Sequence, residues 1–152
     1  MSWSPDSKHI VFAAKSGGKD ALYLFNVEEK EIVESHTFNL DAVFAPAWSP
    51  GGSTIAFMGS KGAQSDIYLY RLDRDTLVRL TDDRYSDLDP AWSPDGTEIA
   101  FVSDRGDDIS HDNDTIQMQN TEYHQTDLYT IKVSTGEISR LTADKFSQTS
   151  PA

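Results

Sequence analysis

The chain of 152 residues contains no cysteine, which excludes a disulfide framework and any thiolate metal site and leaves the redox compartment unmarked. No apolar run approaches the roughly 20 residues of a membrane-spanning helix, and Met1 leads straight into patterned sequence rather than a charged and then apolar leader. It reads as a soluble chain without an export signal. Basic residues are scarce: 13 against 25 acidic ones give a formal charge of −12, which repels nucleic-acid backbones and anionic lipid. Neither nucleic-acid binding nor membrane insertion is expected. Catalytic signatures are missing as well. Gly51-Gly52-Ser53-Thr54-Ile55 breaks the Gly-x-Ser-x-Gly spacing, and there is no zinc-protease helix motif and no phosphate-cradling glycine loop between strand and helix. No catalytic residue and no cofactor are therefore expected in this chain, which reads as non-enzymatic.

What is present is organised as a repeat. Hydrophobic residues make up 38% of the chain and aromatics 11%, enough to build a core. The stretch Pro90-Ala91-Trp92-Ser93-Pro94-Asp95-Gly96, continued by Thr97 to Ser103, reads as a strand, a tight turn and a second strand. Ser, Pro and Gly hold the first, second and fourth places of a type I turn. The same unit occurs at Pro46 to Gly52 and, shortened, at Ser2 to Ser7. Its tryptophans, Trp3, Trp48 and Trp92, are 45 and 44 residues apart, the period of one four-stranded propeller blade. Other landmarks keep step: Ile10, Ile55 and Ile99 lie seven after the tryptophan, and Phe12, Phe57 and Phe101 nine after. Tyr23 and Tyr68 both lie twenty after.

Each unit holds four candidate strands bounded by turn residues. In the second they are Phe44 to Ser49, Thr54 to Met58, Asp66 to Leu72 and Thr76 to Leu80, joined at Gly51-Gly52, Ser60 to Gln64 and Asp73 to Asp75. The expected fold is all-β, with three four-stranded antiparallel blades forming half of a six-bladed propeller. Blade 1 spans about 1–43, blade 2 about 44–86 and blade 3 about 87–147, and 148–152 begin a further strand. The tryptophans and repeated phenylalanines are expected to pack between adjacent sheets. Channel-lining positions such as Ala47, Ser49, Ala91 and Ser93 are small and chemically generic.

The third unit carries an insertion. Tyr129 follows Trp92 by 37 residues, so about 17 residues enter between its second and third strands, near 107–125. Asp107, Asp108, Asp112 and Asp114, with Asn113, are hard oxygen donors of the kind calcium takes, but the spacing lacks the glycine and the closing glutamate of the twelve-residue calcium loop. His111 and His124 offer nitrogen ligands of the kind transition metals take. An exposed polar hairpin extension needs no metal at all, and a long loop on a rigid scaffold is a natural contact surface. Asp104, Arg105, His111, Asp112, Asn113, Tyr123 and His124 are the residues expected to meet a partner.

Pro90 to Gly106, together with Asp127-Leu128-Tyr129 and Ser139-Arg140-Leu141-Thr142, resembles the β-propeller repeats of the TolB-like class. Similar repeats form the N-terminal propeller of prolyl-oligopeptidase-family serine peptidases, including the dipeptidyl and acylaminoacyl peptidases. The second unit repeats the motif as Asp66-Ile67-Tyr68 and Arg79-Leu80-Thr81. The first departs from it: Asp20 sits one place early, and Glu34-Ser35-His36 replaces Arg-Leu-Thr, which makes its outer strand the least secure. The resemblance implies a scaffold that binds protein or peptide partners. The alternative it implies is a fragment of a peptidase's substrate-gating propeller, whose catalytic serine, aspartate and histidine would lie in a separate hydrolase domain. A peptidase propeller implies the cytoplasm and a TolB-type parent the periplasm. Three blades do not close a ring, and open blade faces are costly. Two copies are therefore expected to close head to tail as a six-bladed homodimer.

Overall fold

A computed structural model describes residues 1–106 and 126–143, and all regular structure in those residues is β-strand. Blade 1 holds β1 (Ser2–Trp3), β2 (His9–Ser16), β3 (Lys19–Asn26) and β4 (Glu31–Thr37). Blade 2 holds β5 (Ala42–Trp48), β6 (Thr54–Lys61), β7 (Gln64–Arg71) and β8 (Thr76–Arg79). Blade 3 holds β9 (Asp87–Trp92), β10 (Glu98–Ser103), β11 (Asp127–Lys132) and β12 (Ile138–Arg140). Each blade is a four-stranded antiparallel meander with its strands paired in sequence order.

The strands follow from alternation, but several boundaries move. β6 and β7 run on to Lys61 and Gln64, because Gly62 at φ 65° lets a two-residue turn replace the longer loop expected from Ser60 to Gln64. β5 starts earlier than expected, at Ala42. β4 also corrects an expectation. At seven residues it is the longest of the outer strands, although its motif is the most divergent. Backbone pairing of Ala21 to Asn26 with Thr37 to Glu31 supplies what the motif lacks.

Alternation gives each blade two different faces. Ile10, Phe12, Tyr23 and Phe25 share one face of blade 1, and Ile55, Phe57, Tyr68 and Tyr70 share the matching face of blade 2. In blade 3 the set is Ile99, Phe101, Tyr129 and Ile131. The Phe–Tyr pair within each set is stacked, with ring centroids 5.5, 5.7 and 5.7 Å apart in blades 1, 2 and 3. The opposite faces carry smaller or aliphatic residues. In blade 1, Val11, Leu22 and Leu24 pack on the aromatic face of blade 2. In blade 2, Ala56, Ile67 and Leu69 pack on the aromatic face of blade 3. The core therefore consists of two sheet-on-sheet joints.

The inner strands add ties between blades. Ala45 and Asp89, each three residues before a tryptophan, adopt positive φ (47° and 51°) where the register of β5–β6 and β9–β10 shifts. These bulges bend both strands at the same phase. Trp92 Nε1 donates to Ala47 O of the preceding blade at 3.1 Å, and Trp48 N donates to Ser2 Oγ at 3.1 Å. Trp48 and Trp92 pack at the edges of the joints as expected. Trp3 does not: it is 55% exposed, because no described blade precedes it.

The Ser-Pro-Asp-Gly turn forms as read. Gly96 N donates to Ser93 O at 2.9 Å, with Gly96 at φ 71°. The Asp95 carboxylate accepts from Ser93 Oγ at 2.7 Å, Thr97 N at 3.0 Å and Thr97 Oγ1 at 2.8 Å. These bonds, the Ser93 hydroxyl first among them, lower its pKa from 3.8 to about 2. A depressed carboxylate contributes stability that is complete above its unfolded value of 3.8 and is lost as pH falls through about 2. The carboxyl carbon of Asp95 should therefore titrate near pH 2 in an NMR series, and Asp95→Asn should lose less stability than the parent on acidification from pH 4 to about 2. Titration at the ordinary value of 3.8 would contradict the role given to these bonds.

Candidate functional site

Arg105, at the base of the insertion, is an internal residue. Its side chain is fully buried, whereas the sequence places it among exposed contacts. Nη2 donates to Asp87 Oδ1 and Oδ2 at 2.5 and 2.7 Å, Nη1 donates to Asp83 Oδ2 at 3.0 Å, and Nε donates to Ser103 Oγ at 3.0 Å. The guanidinium lies 5.3 to 5.5 Å from the ring centroids of Phe101, Tyr85 and Tyr129, a desolvated cation–π setting. Burial pushes the Asp87 carboxyl up, against the pull of Arg105. The cluster ties the crossover from blade 2 to the last residue described before the insertion, since Tyr129 OH donates to Gly106 O at 2.5 Å. Asp104 remains exposed and accepts from Ser86 N at 2.9 Å. Asp107, Asp108, His111, Asp112, Asn113, Asp114, Tyr123 and His124 lie outside the described residues. Among the described residues no group of three or more His, Asp or Glu side chains is placed to hold a metal ion.

The joint between blades 1 and 2 fills the corresponding place with apolar groups. Phe38 and Leu40 lie 45 residues before Asp83 and Tyr85, and Val43 and Gly59 lie 44 residues before Asp87 and Ser103, one repeat apart in each case. Phe38 stacks on Phe57 at 5.1 Å, as the Arg105 guanidinium sits over Phe101. Gly59 has no room for a side chain, because a Cβ there would meet the Tyr68 ring at 2.6 Å and Leu40 Cδ1 at 2.8 Å.

The Asp-x-Tyr and Arg-Leu-Thr motifs form one outer lock. Arg79 Nη2 donates to Asp66 Oδ2 at 2.6 Å and Arg140 Nη2 to Asp127 Oδ2 at 2.6 Å. Thr81 Oγ1 and Thr142 Oγ1 accept from Ile67 N and Leu128 N at 3.0 and 2.9 Å. Burial raises Asp66 to about 6 despite its arginine, and its other oxygen has no hydrogen bond. Blade 1 uses a different lock. Tyr70 OH donates to Asp75 Oδ1 at 2.6 Å and lies 2.8 Å from His36 Nδ1, whose Nε2 is 3.0 Å from Glu34 Oε2. Burial, then Asp75, raises the Tyr70 hydroxyl. Asp20, one place early, accepts instead from Val43 N at 3.2 Å. These polar groups are thus engaged in holding strands and blades together.

Two surfaces remain. Ser49 is buried, Ala47, Ala91 and Ser93 are half-buried, and all four offer little chemistry. The second surface is the aromatic face of blade 1. Ile10, Phe12, Tyr23 and Phe25 are only half-buried, while Ile55, Phe57, Ile99, Phe101 and Tyr129 are wholly inaccessible. A hollow of about 460 Å³ opens along this edge, lined by Met1, Ile10, Phe12, Phe25 and Phe44. On blade 3, the face carrying Ala100, Val102, Leu128 and Thr130 has no described strand packed on it.

The buried cluster yields a direct prediction. Arg105→Ala leaves the Asp83 and Asp87 carboxylates buried without their cation and should lower the unfolding free energy in urea by about 3–5 kcal/mol. Replacing the two carboxylates with their apolar counterparts, Asp83→Phe and Asp87→Val, together with Arg105→Met to remove the cation, should recover most of that loss. A change within about 0.5 kcal/mol for Arg105→Ala, the range of an inconsequential surface substitution, would contradict the assignment.

Comparison with known proteins agrees with the blade geometry. The family described as TolB beta propeller domain matches residues 1–110. No curated protein sequence matches the chain. Among solved structures, a putative TolB from Agrobacterium tumefaciens aligns with 24% identity and a TM-score of 0.73, over 93% of this chain and 47% of that one. TolB from Acinetobacter baumannii aligns with 20% identity and a TM-score of 0.56, over 97% of this chain and 44% of the other. Kuenenia stuttgartiensis hydrazine synthase aligns with 18% identity and a TM-score of 0.66, over 93% and 41%. The chain thus spans less than half the length of these structures, whose likeness is one of fold. On the match over residues 1–110 and the repeated blade geometry, the chain belongs to the TolB beta propeller domain family.

Proposed function

We propose that this chain is a non-catalytic propeller scaffold that binds protein, and that its first partner is a second copy of itself, the two closing head to tail into a six-bladed ring. The observation that carries this reading is the aromatic face of blade 1. Its four positions repeat, in phase and in stacking geometry, the faces that are buried against a preceding blade in blades 2 and 3. Blade 3 offers the matching surface, with Ala100, Val102, Leu128 and Thr130 in the phase of Ala56, Met58, Ile67 and Leu69. Joining blade 3 of one copy to blade 1 of the other would make a third instance of a joint the fold already makes twice, and a two-fold axis would make it in both directions. Trp3, half uncovered, would gain the preceding blade against which Trp92 packs. A scaffold needs no reactive centre, and the histidine, tyrosine and carboxylates nearest one another are already used in the blade locks.

Light scattering on the eluting protein should give twice the 16.9 kDa of one chain. Phe12→Asp and Leu128→Asp, which place a charge on either side of the joint, should each give a monomer without loss of the β-sheet circular dichroism. A well-folded monomer of the parent at micromolar concentration would contradict the proposal.

A further inference from the structure

The outer clasp between blades 1 and 2 holds one proton more than a neutral histidine supplies. Tyr70, on β7, has a single hydroxyl proton, and its OH donates that proton to Asp75 Oδ1 in the β7–β8 turn at 2.6 Å. Toward His36 Nδ1, on β4 at 2.8 Å, the same oxygen is then an acceptor and needs an N–H. At the other end of the ring, His36 Nε2 lies 3.0 Å from Glu34 Oε2. A carboxylate only accepts, so this contact needs an N–H as well. A neutral imidazole has one N–H and one bare nitrogen. The ring that satisfies both contacts is therefore the imidazolium. Burial, then Asp75, raises the Tyr70 hydroxyl, so the phenol keeps the proton that this chain of bonds requires.

We infer that His36 is a proton-operated clasp on the joint between blades 1 and 2, closed while its ring carries two protons and opened by the loss of either. Losing the Nε2 proton sets a bare nitrogen against Glu34 Oε2. Losing the Nδ1 proton sets it against the Tyr70 oxygen, unless Tyr70 turns its hydroxyl away from Asp75. Each neutral form breaks one link of a chain that runs from β4 of blade 1 to the β7–β8 turn of blade 2. The titratable groups facing His36 are Glu34 from its own strand, Tyr70 from β7 and, through Tyr70, Asp75; its partner across β3 is the apolar Leu22. Both charges on this side are negative and complement an imidazolium. The Tyr70 ring also meets Phe38 edge-on at 5.2 Å, so the clasp bears on the apolar plug of the joint. A hollow of about 450 Å³ lined by His36, Tyr70 and Asp75 opens beside it and gives solvent protons access. Joint two has Thr81, Ile131 and Gly136 in the phase of His36, Tyr70 and Asp75, so the device acts on one joint. It works within a single chain and does not depend on the self-association proposed above.

Urea unfolding of the full chain and of His36→Phe, at one protein concentration and at about pH 5.5 and about pH 8.5, brackets the range in which histidine changes charge. A cation held by the fold contributes stability at the lower pH and loses it as pH rises. Relative to the variant, the parent's unfolding constant should therefore be about fivefold smaller at the lower pH than at the higher. Glu34→Gln keeps its bond in either state, since an amide accepts from the imidazolium and donates to a bare nitrogen, and should lose most of that pH dependence. A parent-to-variant ratio that is the same at both pH values would overturn the clasp. If His36→Phe does not fold, a long-range proton–nitrogen spectrum of the parent decides, with His36 assigned by the signal that Glu34→Gln shifts. At about pH 7, where a free imidazole is mostly neutral, both ring nitrogens should carry protons. One bare nitrogen there would overturn the inference.

Discussion

The structure depends on one constraint: a blade is a twisted sheet with two unlike faces, and neither face is stable in water. Alternation puts Ile, Phe and Tyr on one side of each hairpin and Val, Ala, Ile or Leu on the other. The aromatic side of one blade needs the aliphatic side of its neighbour. Phe57 and Tyr68 satisfy that need against Val11, Leu22 and Leu24, and Phe101 and Tyr129 satisfy it against Ala56, Ile67 and Leu69. Phe12 and Tyr23 have the same geometry without a described neighbour. The proposed association of two copies would supply that neighbour.

The two joints solve their packing differently, and the difference is chemical rather than geometric. Joint one is plugged by Phe38, Leu40 and Val43, whereas joint two has Arg105 with Asp83 and Asp87 in the same places. Conversely, joint one is tied at its outer side by His36, Tyr70 and Asp75, where joint two has Thr81, Ile131 and Gly136 in phase. Each joint thus carries one polar cluster, and the two sit at different places. Buried polar sets of this kind add little net stability compared with an apolar plug but penalise a wrong neighbour strongly.

Most of the architecture is legible in the sequence because packing is periodic. The tryptophan spacing counts blades, and the residues seven, nine and twenty after it name the buried face. Two things were not legible. Strand ends depend on turn backbone rather than polarity, so Ser60 and Lys61 belong to β6 although they read as loop. The partners of Arg105 lie 18 and 22 residues away on another element, and nothing local points to them. Comparing phases would have done so: where Arg105 replaces Lys61, Asp83 and Asp87 replace Phe38 and Val43, a joint change of three positions. Trp3 shares its phase with two packed tryptophans, and its exposure follows from what stands next to it, which a one-dimensional pattern does not record.

The proposed assembly requires the aromatic face of blade 1 to be covered by a second copy. Hydrogen exchange read by mass spectrometry across a dilution series tests it most directly. The amides of β2 and β3 should be protected at high concentration nearly as well as those of β6 and β7, and should lose that protection on dilution while β6 and β10 keep theirs. Fast exchange along β2 at every concentration, beside a protected β6, would contradict it.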